Sequence, residues 1–469
     1  MSMPRDVADI HRCFRAVGAA LMRVNANNTH SGNMSMRDPL DPDRFYVTAS
    51  GSQCGDLTPQ CIVPLCFSIP GWSGVKPSTE SSIHRRILEL PGVMACVHCH
   101  PVAPIAMSLE FPDHPILSIL PECEGNSAAA DFLFVPVDLC GAGILGPVTV
   151  GIYSQPVGSS EMEQRIPLVL EKSPVTIVRG HGPFARGFSL WECLHYMSVL
   201  DHSVTLAMAL RRRGVDLQHL QRRILEHGFN SVFPAPPRAL DLNPATGQRL
   251  EDPSLATDFS YWLSYHFNFG LGAFGTGSMS LKVSAHEMAF CPMAAAPAGL
   301  DVPILRLPLE GPDDSPGDVQ LHRLIYARTP FKACMLTANP LAAAEGMAVL
   351  AQRHGIEALA SQPAGIPYAS NDHPSLVPID AEGRYIYHHL GLVDISQIVR
   401  DAPQNPIPDM LLRCHGACIV AGLGVISAGE ASLAQAAHHA SSAERIARFR
   451  QEVDLNHRLF GGPPIEAFE

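Results

Sequence analysis

Val97-His98-Cys99-His100-Pro101 sets two imidazoles one residue apart, behind the apolar run Met94-Ala95-Cys96. On an extended strand side chains alternate faces, so His98 and His100 project to one side and Cys99 to the other. Two imidazoles on one face can grip a divalent ion if a third ligand closes over it. Gly180-His181-Gly182, after the β-branched run Val175-Thr176-Ile177-Val178, offers that ligand. Three protein ligands with one open position are the arrangement of a catalytic zinc rather than a structural one. Pro77-Ser78-Thr79-Glu80 reads as the start of a helix with Glu80 in its first turn. Beside a metal that carboxylate is a general acid/base; the plainer reading is a residue placed there by the helix dipole.

A zinc ion can accept the two oxygens of a hydroxy-ketone and stabilise the enediolate left when a carbon–carbon bond breaks. Hydroxyls and backbone N–H groups of a glycine-containing loop can hold a phosphate with little net charge. Thr48-Ala49-Ser50-Gly51 has the hydroxyls and the glycine, although Ser50-Gly51 alone reads as an ordinary turn.

Five segments, in order, resemble the motifs of the class II aldolase/adducin family. Gly32-Asn33-Met34-Ser35 with Arg37 is similar to its early Gly-Asn-x-Ser motif, and Thr48-Ala49-Ser50-Gly51 with Gly55-Asp56-Leu57 to its phosphate loop. Pro77-Ser78-Thr79-Glu80 with His84 is similar to its acid/base segment, and His98-Cys99-His100 and Gly180-His181-Gly182 to its metal ligands. The resemblance implies zinc, or another divalent metal, on His98, His100 and His181, with Glu80 as the acid/base. It implies a substrate-phosphate pocket drawn from Asn33, Ser50, Gly51, Ser78 and Thr79. The function so implied is a zinc-dependent aldolase cleaving a small phosphorylated sugar or hydroxy-ketone. Epimerisation, dehydration or decarboxylation on the same metal core, and a non-enzymatic adducin-like interaction module, are the alternatives. No tyrosine stands out as a second proton donor.

These residues need a scaffold to bring them together. The chain has 469 residues, of which 46% are hydrophobic and 17% charged, ample for two or three packed domains. A formal net charge of -12 argues against general nucleic-acid binding. No apolar stretch approaches a membrane span, and the first ten residues lack the apolar core of a signal peptide. The 13 scattered cysteines suit buried free thiols in a reducing cytoplasm. Helical spacing runs over Val7 to Val24, Ser81 to Leu90 and Leu190 to Arg213. Strands are expected at Arg44 to Thr48, Met94 to His98 and Val175 to Val178. Strands interleaved with helices predict an α/β layered fold; the family resemblance implies a central, mainly antiparallel sheet flanked by helices.

The chain also echoes itself. Thr276-Gly277-Ser278-Met279-Ser280 repeats the pattern of Ser31-Gly32-Asn33-Met34-Ser35, and Leu321-His322-Arg323 that of Ile83-His84-Arg85. Lys332-Ala333-Cys334 leads to Asn339-Pro340 as Met94-Ala95-Cys96 leads to His100-Pro101, and Cys414-His415-Gly416 echoes Gly180-His181-Gly182. Two copies of one fold are therefore expected: a catalytic domain over 1–229, a Pro-rich linker over 230–258 and a degenerate domain over 259–469. The second copy offers Thr337-Ala338-Asn339 in place of the two histidines, Met293-Ala294-Ala295-Ala296 in place of the loop, Asp318 near Glu80, and His415 as its surviving imidazole. The resemblance further implies a ring of four domains with sites at subunit contacts. A homodimer of duplicated chains would make such a pseudo-four-fold ring, with a phosphorylated small molecule as substrate and neither nucleic acid nor membrane as partner.

Overall fold

The computed structural model describes residues 4–28, 30–69, 71–109, 117–119, 131–232, 248–292, 304–311, 317–359, 374–399 and 405–463. The chain divides into two compact units. Unit 1 is Met1–Pro136 with Ile144–Val204, and unit 2 is Val137–Gly143 with Thr205–Glu469.

Unit 1 is built on a nine-stranded sheet. Its strands are β1 Asn33–Arg37, β2 Arg44–Thr48, β3 Ile62–Cys66, β4 Ala95–His98, β5 Leu117–Ile119, β6 Phe132–Phe134, β7 Val148–Gly151, β8 Val175–Val178 and β9 Gly182–Gly187. They run across the sheet in the order β3-β2-β1-β4-β9-β8-β7-β6-β5. The pairs are antiparallel except β7 with β8, which is parallel. The inner strands β4 and β8 are buried at every residue, which is why they read as apolar and β-branched runs and not as alternating ones.

Helices cover the sheet because their apolar stripes need it. The helix Val7–Arg23 starts where the Asp6 side chain accepts from the Asp9 N–H, and it buries Ile10, Phe14, Val17 and Leu21 at helical spacing. The helix Ser81–Leu88 presses Ile83, Ile87 and Leu88 into a core shared with Met162, Ile166 and Leu170 of the helix Ser160–Lys172 and with Phe45, Cys96 and Phe184 of the sheet. Cys96 and His98 alternate with Val97 along β4. The helix therefore lies over the sheet face from which His98 projects.

Unit 2 repeats the plan. Its strands are β10 Gln248–Arg249, β11 Ser278–Lys282, β12 Glu287–Pro292, β13 Leu305–Pro308, β14 Ala333–Thr337, β15 Ser375–Leu376, β16 Leu390–Val393, β17 Ala417–Val420 and β18 Gly424–Gly429. The order β10-β13-β12-β11-β14-β18-β17-β16-β15 matches unit 1 from β13 (against β3) to β15 (against β6), each sheet adding one further edge strand. The parallel pair recurs as β16 with β17. The chain is thus α/β, with two mainly antiparallel sheets flanked by helices. Of the stretch expected as a linker, 230–258, residues 233–247 lie outside the described residues. Its end carries β10 and the start of the helix Pro253–Asn268. The apolar run Met293–Ala296 also lies outside the described residues. Among the described residues every cysteine is a free thiol, and no helix is long and apolar enough to cross a membrane.

Unit 2 carries a fold-level pH liability in His266, on the helix Pro253–Asn268. It is buried, neither ring nitrogen has a hydrogen-bond partner, and burial pushes its pKa down to about 4. The folded state thus resists a proton that the unfolded state takes up near the ordinary value of about 6.5. Stability falls as pH drops from about 6.5 towards 4, by about 2–3 kcal/mol from this group. His266→Leu should raise the urea midpoint at pH 5 more than at pH 7.5. An equal effect at both pH values would refute the burial cost assigned to this ring.

Candidate active site

The site is set by one row of the unit 1 sheet. Asn33 of β1 pairs with His98 of β4, and His98 pairs with Phe184 of β9. The His98 ring stacks on Phe184, with centroids 4.1 Å apart and planes at 14°. Its Nδ1–H donates to the Pro183 carbonyl at 2.9 Å. That bond fixes the tautomer with a bare lone pair at Nε2, the ligating form.

The other two imidazoles converge on that lone pair. His100 Nε2 is 2.9 Å and His181 Nε2 3.2 Å from His98 Nε2. Together the three side chains form a group with the spacing of a metal site. Nitrogens about 2.0–2.1 Å from a tetrahedral ion stand roughly 3.3 Å from one another, so the cluster fits such an ion. One lone pair can take at most one N–H, which leaves this packing unexplained by hydrogen bonding alone. Burial holds all three rings below the ordinary histidine range, with His100 at about 4 and His98 lowest in exposure, so they stay neutral and able to ligate at neutral pH.

Backbone geometry holds the cluster. The His100 N–H is shared by the Ala26 carbonyl at 2.8 Å and Asn27 Oδ1 at 3.0 Å. Gly32, at φ +77°, leaves room for the Asn27 side chain, which a Cβ would meet at 2.5 Å. Gly182 closes the corner between β8 and β9 against β4. A Cβ there would stand 2.3 Å from the Cys99 carbonyl oxygen and 3.3 Å from the His98 ring. Cys99, on the opposite face, is buried, and burial and Asp201 push its thiol up.

Glu80 is the N-cap residue of the helix Ser81–Leu88, yet its side chain makes no capping hydrogen bond. Its carboxylate turns into the site. Oε2 accepts from Asn33 Nδ2 at 2.8 Å and lies 3.6 Å from His98 Nε2. Oε1 is buried without a hydrogen-bond partner, 3.9 Å from His181 Nδ1, which also lacks one. A buried carboxylate oxygen and a buried imidazole nitrogen, each without a partner, are costly unless a cation or a proton comes between them.

Of the residues expected around a phosphate, Ser50, Gly51 and Thr79 are exposed and Ser78 is buried. Ala49 bridges to Pro77, Ser50 N–H donates to the Lys76 carbonyl at 2.9 Å, and Ser78 N–H to the Thr48 carbonyl at 3.0 Å. This short ladder sets Ser50-Gly51 beside Ser78-Thr79. Ser78 Oγ accepts from the Glu80 N–H at 3.3 Å, tying the ladder to the acid. Asn33 is differently placed: its amide is engaged by Glu80 and by His84. Sequence reasoning missed Phe184 and Asn27, and it left no role for Ser35, which bonds His84 at 2.7 Å. Arg37 donates from Nε to the Leu88 carbonyl and ties β1 to the helix end.

Among the described residues unit 2 has no such cluster. Ser35–Cys96–Arg186 across the first sheet corresponds to Ser280–Cys334–Ala428 across the second. By that register His98 falls on Leu336, His100 on Ala338 and His181 on Leu423. Thr337 occupies the place of Cys99, and His415 precedes β17, outside the corner between β17 and β18. The letters around His415 resemble those around His181, but the strand boundaries assign that corner to Ala421–Leu423. A cavity of about 780 Å³ in unit 2, edged by Tyr265, Phe269, Arg445 and Arg448, contains none of the site residues.

This fold, with its three converging imidazoles and adjacent carboxylate, defines an aldolase-type enzyme. Residues 14–208 match the family described as Class II Aldolase and Adducin N-terminal domain. A methylthioribulose-1-phosphate dehydratase of Leptospira biflexa is 26% identical over 195 residues, 38% of this chain and 86% of that protein. A 5-methylthioribulose-1-phosphate/5-deoxyribulose-1-phosphate aldolase of Rhodospirillum rubrum is 26% identical over 223 residues, 46% of this chain and 90% of that protein. Among solved structures, L-fuculose-1-phosphate aldolase of Thermus thermophilus is 26% identical, covering 44% of this chain and 95% of that one at a TM-score of 0.37.

Zn²⁺ titration followed by calorimetry should give one site per chain. His98→Ala should abolish it, and Gly182→Ala should weaken it at least tenfold by displacing β4. Binding unchanged in His98→Ala would place the metal elsewhere.

Proposed function

We propose that the chain is a zinc-dependent lyase acting on a small phosphorylated ketose, with unit 1 as the catalytic unit. The observation that carries this reading is the Glu80 carboxylate set within 4 Å of two of three converging imidazoles, one oxygen held and the other without a partner. A divalent ion on His98, His100 and His181 supplies, when bound, Lewis-acid polarisation of substrate oxygens. The rest of the chemistry belongs to the chain. Asn33 holds Oε2 of Glu80, which leaves Oε1 to take a proton from the substrate and return it. Ser50, Gly51, Ser78 and Thr79 hold the phosphate with hydroxyls and N–H groups, and their ladder fixes its distance from Glu80. Phe184 and the buried sheet face exclude water from one side of the His98 ring.

Aldol cleavage of a ketose 1-phosphate takes the C4 hydroxyl proton as the C3–C4 bond breaks and returns a proton to C3, whereas dehydration takes the C3 proton and expels the C4 hydroxyl as water. The dehydratase relatives favour the second reaction and the aldolase relatives the first. Incubation of the zinc-loaded protein with 5-methylthioribulose 1-phosphate and other ketose 1-phosphates, followed by mass spectrometry, separates the two. Cleavage gives two carbon fragments, and dehydration gives one product lighter by water. Turnover of none of these compounds would overturn the substrate class.

Unit 2, without ligands, has a structural role in this reading, and the active chain is a homodimer; light scattering giving a monomer would count against that assembly. Glu80→Gln should keep zinc and lose about 10²-fold or more in kcat. A fully active Glu80→Gln protein would remove Glu80 from the mechanism.

A further inference from the structure

Behind Glu80 lies a chain of buried polar groups that the metal site does not require. Asn33 and Ser35 alternate with Met34 on β1 and so share a face. The helix Ser81–Leu88 lays His84 across both, one turn after Glu80. Ser35 Oγ is 2.7 Å from His84 Nδ1, His84 Nε2 contacts Asn33 Oδ1, and Asn33 Nδ2 is 2.8 Å from Glu80 Oε2. His84 is fully buried.

The direction of each bond follows from the last one. A carboxylate only accepts, so the amide must turn an N–H toward Glu80 and its carbonyl toward His84. His84 Nε2 must then carry the ring's proton. Burial pushes the His84 pKa down to about 4, so the ring is neutral and Nδ1 is an acceptor, filled by the Ser35 hydroxyl. Every donor meets an acceptor from Ser35 to Glu80. Rotating the Asn33 amide by half a turn would set its carbonyl against the carboxylate and its N–H₂ against the imidazole N–H.

We propose that His84, braced by Ser35, is a positioning residue: it locks the Asn33 amide so that one oxygen of Glu80 is held and the other is left free for proton transfer. The inference rests on Glu80 being the acid/base.

Unit 2 supplies a control within the same chain. Ser280 Oγ is 2.6 Å from His322 Nδ1, and Ser278 Oγ 3.1 Å from His322 Nε2. Ser278 also hydrogen-bonds Asp318, the counterpart of Glu80. The Ser–His brace therefore recurs in a unit whose described residues hold no imidazole cluster, and it ties strand to helix. A loss of this brace costs stability in either unit, whereas an effect on Glu80 belongs to unit 1.

The test uses the full chain with zinc, on the ketose phosphate that it turns over. His84→Leu should lower kcat about tenfold to hundredfold, the scale of a misplaced catalytic group. KM should change less than threefold and zinc content not at all. His84→Gln restores a donor to Asn33 and should recover most of kcat. His322→Leu should lose thermal stability comparably and keep kcat. Independently of activity, long-range ¹H–¹⁵N spectra of the metal-free protein should show His84 protonated at Nε2. A wild-type kcat in a folded His84→Leu protein, an equal kcat loss in His322→Leu, or His84 protonated at Nδ1 would overturn the proposal. If Glu80→Gln is itself fully active, the acid/base reading fails first. If Glu80→Gln is inactive and His84→Leu is not, the positioning role alone fails.

Discussion

The pairing of β4 with β1 on one side and β9 on the other governs the chemistry of unit 1. A strand shifted by one residue turns every side chain to the opposite face. In the observed register Asn33, His98 and Phe184 form one row, so His98 has an aromatic wall on one flank and the residue that holds Glu80 on the other. A one-residue slip of β4 would bring Val97 into the site and point His98 away. The buried apolar neighbours of β4 prevent that slip. Packing of the core and assembly of the site are thus one constraint.

Burial then sets the state of the groups. Desolvation keeps the imidazoles neutral, which suits them to ligate, and the same burial leaves one Glu80 oxygen without a partner. Such a group of side chains is poorly satisfied by itself, and the surrounding sheet must carry that cost. Unit 2 has Leu336, Ala338 and Leu423 at the ligand positions, apolar side chains that need no partner.

Local features were legible in the sequence. Arg44–Thr48 and Val175–Val178 read as strands because aromatic and β-branched residues crowd them, and Val7–Arg23 read as a helix because its buried residues recur every three or four positions. The spacing of His98 and His100 was a weak signal alone; the joint occurrence of five segments resembling one family's motifs led to the expectation of a cluster with His181. What depends on the pairing of distant strands was not legible. Nothing near Phe184 announces that it stacks on His98. Asn33 drew notice through a phosphate motif, yet its amide is engaged by Glu80 and His84, a fact that follows only from where a helix lies over β1. In unit 2 the similarity of letters placed His415 opposite His181, whereas strand boundaries place Leu423 there, because a motif compared as text carries no register.

The glycine that closes the corner against β4 is present in both units. At Gly424 a Cβ would stand 1.9 Å from the Thr337 carbonyl oxygen, as at Gly182 it would meet that of Cys99. This residue is therefore demanded by the crossing of backbones, whether or not imidazoles stand beside it. In protein-engineering terms, unit 2 is a blank socket: the main-chain corner that would aim three side chains at one point is already formed, and only Leu336, Ala338 and Leu423 separate it from a second imidazole cluster.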